Sequence, residues 1–371
     1  MCLFLASKSL GCLEKVRDPR LERNQLHKLV DILVLAVCGF LAGCESWVDV
    51  ELFGKSKREW LEKFLELPNG IPSHDTFGRV FALLDPEQLV PVLQEFVRIV
   101  TGSLLGETIA IDGKTLARSG DSDKKALHLV SAWATQHGVV LGQFATAEKS
   151  NEITAIPELL KILDIRGAVI TIDAMGCQKA IAQQVLDQGG DYVLAVKGNQ
   201  KSLHRLLKFY FGRGHQNLQR SKLTTKDKGH GRKEQRSYTV LKAPTAVRRR
   251  WPGAQSIVRV CRRSTTRGKA SEEVRFFISS LPPEAERLAR CVREHWGIEN
   301  QLHWSLDVTF NEDQSRIRQG HAAENAALLR RLALSILKQD VRYRQSIRGK
   351  RLRAGWDNSA LEHFLAIFAG N

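Results

Sequence analysis

No two cysteines of this chain are spaced Cys-x-x-Cys, and its seven cysteines, at positions 2, 12, 38, 44, 177, 261 and 291, are scattered and odd in number. That argues against a disulfide framework and against a zinc site, and it fits a reducing cytoplasm. Long apolar runs are also lacking. Ile32 to Cys44 is thirteen uncharged residues, whereas a membrane span needs about 20, so the run reads as a buried core helix and no membrane partner is expected. The first thirteen residues have no basic n-region and are broken by Lys8, which argues against a signal peptide. No internal repeat or low-complexity tract stands out. The last shortage is of acid: 40 Asp and Glu stand against 56 Lys and Arg, a formal charge of +16. A surplus of that size points to a polyanionic partner, nucleic acid first. With 371 residues and 43% apolar content, the chain can hold two or three domains with filled cores.

Residues 1–100 read as a helical accessory domain, with apolar helical spacing over Leu26–Ala42, Trp47–Leu65, Ser73–Leu84 and Pro86–Val100. Ser73 is the expected N-cap of the third helix. That helix has the form of an amphipathic packing element, with entry into a DNA groove as the alternative. From 101 to about 340 the pattern changes to β, β, β, α, β, α, β, ending on the strand Tyr192–Val196, after which the β, α rhythm stops. Residues about 213–281 read as a mostly β insertion; from Arg213 to Arg250 it carries twelve Lys or Arg against Asp227 and Glu234. Within it, Arg232, Glu234, Arg236 and Tyr238 alternate behind Gly229-His230-Gly231 and would share one strand face, Glu234 orienting the arginines by ion pairing. Helices follow at Glu284–Trp304 and His321–Lys338, and residues 341–371 read as a basic C-terminal tail.

Two of the strand-like runs end on an aspartate: Thr108-Ile-Ala-Ile into Asp112-Gly-Lys114, and Ala168-Val-Ile-Thr-Ile into Asp173-Ala-Met-Gly. A carboxylate at the end of a central strand is costly unless a cation pairs with it. Two of them in one sheet point to a shared divalent metal. Phosphodiester cleavage and strand transfer use two such ions, and Mg2+, with Mn2+ able to substitute, prefers a few carboxylates plus water and phosphate. His295, Glu299 and His303 stand at i, i+4 and would share a helix face, so Glu299 is the candidate third carboxylate, with Asp307, Glu312 and Asp313 as alternatives. Lys114, Lys197 and Asn199, at or near strand carboxyl ends, are candidate phosphate contacts. Cys177 reads as a buried structural thiol.

These motifs, Ile109-Ala-Ile-Asp112-Gly-Lys114, Ile170-Thr-Ile-Asp173-Ala-Met-Gly-Cys-Gln178, Tyr192-Val-Leu-Ala-Val-Lys-Gly-Asn199 and His295-Trp-Gly-Ile-Glu-Asn-Gln-Leu-His-Trp304, resemble the motif set of DDE transposases. More narrowly they resemble the ISAs1 insertion-sequence family and its H-repeat-associated proteins, over nearly the whole chain. The resemblance implies an α/β fold with a ribonuclease H-like mixed sheet, and Asp112, Asp173 and Glu299 as metal ligands, with Asp112 bridging both ions. The wider IS4-like signature Tyr-x2-Arg-x3-Glu-x6-Lys is not met: Val292, His295 and Leu306 occupy its other positions, so His295 stands where an arginine would contact phosphate. His230, Arg232, Arg236 and His295 complete the candidate DNA-binding residues. The expected activity is cleavage and strand transfer of insertion-sequence ends by a protein that assembles into homo-oligomers on DNA. A nuclease without the joining step and an inactive relative that only binds DNA are the alternatives.

Overall fold

The described residues of the computed structural model are 8–120, 125–146, 152–212, 220–229, 232–266 and 269–370. The chain is mixed α/β, with nine strands hydrogen-bonded in the order β3-β2-β1-β4-β5-β9-β8-β7-β6. These strands are β1 Thr108–Thr115, β2 His128–Ala134, β3 Val139–Thr146, β4 Val169–Ile172, β5 Asp191–Val196, β6 Arg220–Gly229, β7 Arg232–Lys242, β8 Ser256–Thr266 and β9 Lys269–Ser279. The chain divides into two compact units. One comprises Met1–Ser103, Gly113–Asn151 and Glu299–Asn371; the other comprises Leu104–Asp112 and Glu152–Ile298. Among the described residues no helix is long and apolar enough to cross a membrane.

The first unit opens on helices α1 Lys8–Glu14, α2 Leu29–Leu41, α3 Trp47–Ser56, α4 Arg58–Leu61, α5 His74–Leu83 and α6 Val90–Thr101. A helix apolar all round is buried all round, and α2 leaves only Val30 half-exposed. Ser46 and Asp49 form a capping box that starts α3, and the Ser73 hydroxyl accepts the Thr76 N–H to start α5. Phe77, Val80 and Phe81 of α5 are fully buried, and Trp47 stacks on Phe81 with ring centroids 4.5 Å apart. The packing reading of α5 therefore describes its apolar face. β2 and β3 form an antiparallel hairpin, Ala134 opposite Val139, and Gly138 at the turn has a φ of +69° that favours glycine. After the helices of the second unit, the first resumes with α12 Trp304–Val308, α13 Ala322–Gln339, α14 Ile347–Trp356 and α15 Asn358–Ala369. α13 packs on β3, where the Ser335 hydroxyl accepts the Val140 N–H. Residues 341–371, expected as a tail from their charge, carry two of these helices. Ala354, Leu361, Phe364 and Phe368 are fully buried there, and the Asp340 carboxylate holds Lys350 Nζ and His363 Nε2, each at 2.9 Å.

In the second unit β1, β4 and β5 are parallel, and β9 joins β5 antiparallel. Strands β9 to β6 continue as an antiparallel meander. The helices are α7 Glu152–Lys161, α8 Lys179–Asp187, α9 Lys201–Phe211, α10 Thr245–Arg248 and α11 Ala285–His295. α9 lies beyond Gly198, where the sequence reading ended the β, α rhythm; Leu203, Leu207 and Phe211, spaced by four, are its buried side. Val169 and Val193 of the parallel strands, Tyr238, Val240, Val258, Val260 and Phe277 of the meander, and Leu288, Cys291 and Val292 of α11 pack into one apolar core.

Candidate active site

β1 and β4 pair in parallel with Ile109 opposite Ile170 and Ile111 opposite Ile172. Asp112, within β1, and Asp173, just past β4, are the next residue on each chain, so their backbones follow neighbouring strands that stand about 4.8 Å apart. Four fully buried β-branched and aliphatic positions lead to each aspartate, and both aspartates are half-exposed. Full burial gives way to half-exposure at both aspartates, although β1 itself runs on through Lys114 to Thr115. Asp173 Oδ1 accepts the Met175 N–H at 2.9 Å and the Gly176 N–H at 3.4 Å. Gly176 is tightly packed: an added Cβ would lie 2.3 Å from an Ile172 methyl.

The turn after Asp173 is clipped from a second strand end. The Asn199 amide donates to the Ala174 carbonyl, and Gln200 Nε2 donates to the Cys177 carbonyl at 2.8 Å. Asn199, expected to touch phosphate, thus has its side-chain amide bonded to the Asp173 turn, while Lys197 is exposed. Cys177 is fully buried, and burial pushes its thiol up to about 12, which leaves it an un-ionised, inert thiol.

His295 closes α11 with Nδ1 3.0 Å from the Thr171 hydroxyl on β4, two residues before Asp173. Burial pulls its pKa down to about 4 against the opposing pull of Asp173, so the ring is neutral at pH 7. The single α-helix expected from Glu284 to Trp304 is absent: α11 ends at His295, and a π-helix runs from Ile298 to His303. Ile298 is fully buried and Trp296 half-buried under Arg275, whose guanidinium carbon lies 4.5 Å from the ring centroid. Trp304 is 57% exposed. Glu299 is exposed on the first turn of the π-helix, and short π segments occur frequently at functional sites.

In the first unit, Lys114 is buried among the carboxylates offered as alternatives to Glu299. Its Nζ lies 2.7 Å from Asp307, 2.6 Å from Asp313 and 3.7 Å from Glu312. Burial alone would lower its pKa, but Glu312, Asp307 and Asp313 outweigh that and raise it. Arg331 Nη1 meets Glu312 at 2.8 Å with both side chains fully buried. Asp307, Glu312 and Asp313 are thus engaged by cations of their own unit, and so is the lysine expected on phosphate. His303 is neutral too, pushed down to about 3 by burial and by Arg331 and Lys114.

On the meander, Glu234 is buried and ion-paired to Arg236 and, at 2.9 Å, to Arg262 of β8. It does bridge two arginines, but the second comes from the neighbouring strand. The Arg232 side chain and His230 lie outside the described residues. Arg236 also meets Asp227 at 2.7 Å.

The donor set suits a hard cation: Asp112 and Asp173, each the residue after the paired run Ile109–Ile111 or Ile170–Ile172, are carboxylates, the ligand type Mg2+ prefers. Among the described residues no three His, Cys, Asp or Glu side chains are gathered as a metal site. Sequence reasoning missed Thr171 and Arg331. The first reads as a strand residue and the second as one more charge on a helix.

Comparison with known proteins agrees with this chemistry. A family model described as "Transposase DDE domain" matches residues 104–336, and one described as "DDE_Tnp_1-associated" matches residues 10–97. YhhI, an H repeat-associated protein of Escherichia coli that bears a transposase name, is 41% identical over 350 residues, 92% of this chain and 93% of its own. YncI of Escherichia coli O157:H7, also named as a transposase, is 40% identical over 96% of this chain and 94% of its own. A piggyBac transposase synaptic complex with hairpin DNA aligns at 12% identity and a TM-score of 0.42, over 99% of this chain and 78% of that one, a likeness too slight to carry an argument. On the match to the catalytic-domain model and the near full-length relatives, the chain belongs to the transposase DDE-domain family.

Proposed function

We propose that this transposase cuts and joins the ends of an insertion sequence of the ISAs1 type, with Asp112, Asp173 and Glu299 as metal ligands in a ribonuclease H-like core. The observation that carries the reading is the parallel register of β1 and β4, which leads Asp112, within β1, and Asp173, the residue after β4, along neighbouring strands. The sheet order β3-β2-β1-β4-β5, with β2 and β3 antiparallel and β1, β4 and β5 parallel, supports the ribonuclease H-like assignment. Glu299 is favoured as the third ligand because Asp307, Glu312 and Asp313 already neutralise Lys114 and Arg331.

Two Mg2+ ions, or Mn2+, would supply activation of the attacking oxygen and stabilisation of charge at phosphorus. The chain's own residues hold that place in shape. Met175 and Gly176 N–H groups fix the Asp173 carboxylate, Asn199 and Gln200 fix the turn that carries those groups, and His295 ties the end of α11 to Thr171 as a neutral ring. Lys197, exposed at the end of β5, remains a phosphate contact in this reading, and cytoplasmic location and assembly on DNA as a homo-oligomer accompany it.

The test is the purified chain with Mg2+ and a plasmid carrying a donor element between its own ends. Cleavage followed by joining is expected from the parent, and neither from Asp112→Asn, Asp173→Asn or Glu299→Gln, each still folded and still binding DNA. Cleavage that persists in Asp112→Asn would sink the ligand assignment. Cleavage without joining would leave a nuclease, and DNA binding without either step would leave a DNA-binding relative.

A further inference from the structure

The two faces of the β6–β9 meander differ in how their charges are matched. Residues directly opposite one another in an antiparallel pair share a face. One face therefore holds Asp227, Glu234, Arg236, Arg262, Glu273 and Arg275, from the pairs Asp227 with Glu234, Arg236 with Arg262 and Arg262 with Glu273. Every one of those charges meets an opposite one, Arg275 at 2.7 Å from Glu273.

The other face holds Lys222, Thr224, Lys226 and Lys228 of β6, Lys233 and Gln235 of β7 (Lys228 opposite Lys233, Lys226 opposite Gln235), and Arg263 with Glu272 across β8 and β9. Arg263 and Glu272 satisfy each other at 2.8 Å. Lys222, Lys226, Lys228 and Lys233 form no ion pair among the described residues. All four are exposed, while Ser221, Leu223 and Thr225, which alternate with them, are half-buried. Near its base this face is covered by α9, through Phe211 against Phe276 at 5.8 Å and Arg259 over Phe211. Beyond that, toward the lysines, exposure begins.

We propose that this lysine face docks the phosphate backbone of duplex DNA without reading base sequence. Side chains two apart on a strand stand about 6.8 Å apart, comparable to successive phosphates along one DNA strand, so a row of alternate lysines can follow a backbone. Flexible ammonium groups on a flat face supply charge without the fixed geometry that base recognition needs. Duplex DNA is the occupant because the face carries uncompensated positive charge in a transposase-family chain. The proposal rests on the transposase reading and adds to it a surface separate from the aspartate pair.

The test measures binding of the full chain to a short blunt duplex of arbitrary sequence as a function of salt. Changing Lys222, Lys226, Lys228 and Lys233 together to Gln should make the log-log salt slope shallower by about 3.6 units, at roughly 0.9 for each phosphate no longer neutralised, with no change in melting temperature. Four Lys→Arg changes should keep the parent slope. The charge-neutral pair Asp227→Asn with Arg293→Gln, which removes a 3.3 Å ion pair on the opposite side, should keep it too. If the fourfold variant fails to fold, Lys222→Gln with Lys226→Gln should give about half the change in slope. An unchanged slope in the lysine variants, an equal change in the Asp227 and Arg293 pair, or a change confined to single-stranded RNA overturns the proposal. Cleavage of the donor plasmid with an unchanged slope overturns this surface alone; a parent chain that neither cleaves nor binds duplex DNA overturns the transposase reading as well.

Discussion

In the first unit, Lys114 and Arg331 are buried among Asp307, Glu312 and Asp313, positive and negative groups alternating. In the second, Lys222, Lys226, Lys228 and Lys233 line an exposed face with no unpaired acid beside them. Both regions are rich in charge, and their composition does not tell them apart. The difference is where the opposite charge is found. A buried ion is tolerated only with its partner in place, so the first cluster fixes the fold. The second leaves its charge for something outside the chain. In the proposed function Asp173, a half-exposed carboxylate just past β4, follows the second rule with the sign reversed, since it would hold a cation.

The largest effect that would break this comparison is on cleavage. Asp173→Asn keeps an Oδ1 acceptor for the Met175 and Gly176 N–H groups, so the melting temperature should hold. Donor-plasmid cleavage should fall at least on the order of 10³-fold, equivalent to about 4 kcal/mol. A variant that melts early instead would move Asp173 into the structural class. Arg331→Met comes next, because it strands a fully buried Glu312; it should lower unfolding stability in urea by about 3–5 kcal/mol, and adding Glu312→Gln should recover part of that. A double variant as unstable as the single one would show that packing, not charge, is at stake.

A smaller effect belongs to Asp340. Burial would raise its pKa, but Lys350, His363 and the Tyr343 N–H outweigh burial and hold it below the usual aspartate range. A depressed folded-state pKa means stability present above the unfolded value, about 3.9, and lost as pH falls through the folded one. Asp340→Asn should therefore cost about 2 kcal/mol near neutral pH, with the gap from the parent closing in acid; a gap independent of pH would rule out the electrostatic account. The smallest change is Lys226→Gln, expected to make the salt slope of duplex binding shallower by about 0.9 with stability untouched.

Much of this was legible in the sequence where pattern and chemistry coincide. The apolar run ending on Asp173 announces a strand end, whereas the run into Asp112 does not, since β1 continues to Thr115; Ser73 before an apolar helix announces a cap, and the uncharged stretch from Ile32 announces a buried helix. Helix α9 was not legible because Lys201, His204, Arg205 and Lys208 interrupt the apolar spacing of Leu203, Leu207 and Phe211. Buried arginines are illegible for a different reason: Arg330 and Arg331 sit in a helix sequence that looks solvent-facing, and only the partners supplied by distant segments allow their burial. The same holds for residues 341–371, where Lys350 and Arg351 are buried on backbone carbonyls. On the meander, alternation in Arg232–Tyr238 drew attention to a face on which Arg236 is matched by Glu234 and Asp227. The alternation in Ser221–Lys228 was equally visible. Which of the two is neutralised depends on strand register, which sequence spacing does not contain.

The π-helix from Ile298 to His303 changes what spacing means in the motif that holds Glu299. Its backbone bonds span five residues instead of the four of an α-helix, so the segment inserts a phase step between α11 and α12. Counting His295, Glu299 and His303 by fours uses an α-helical ruler across a turn of different pitch. A wider turn takes up an additional residue locally, so the length of the motif is as much a part of its meaning as the residues in it.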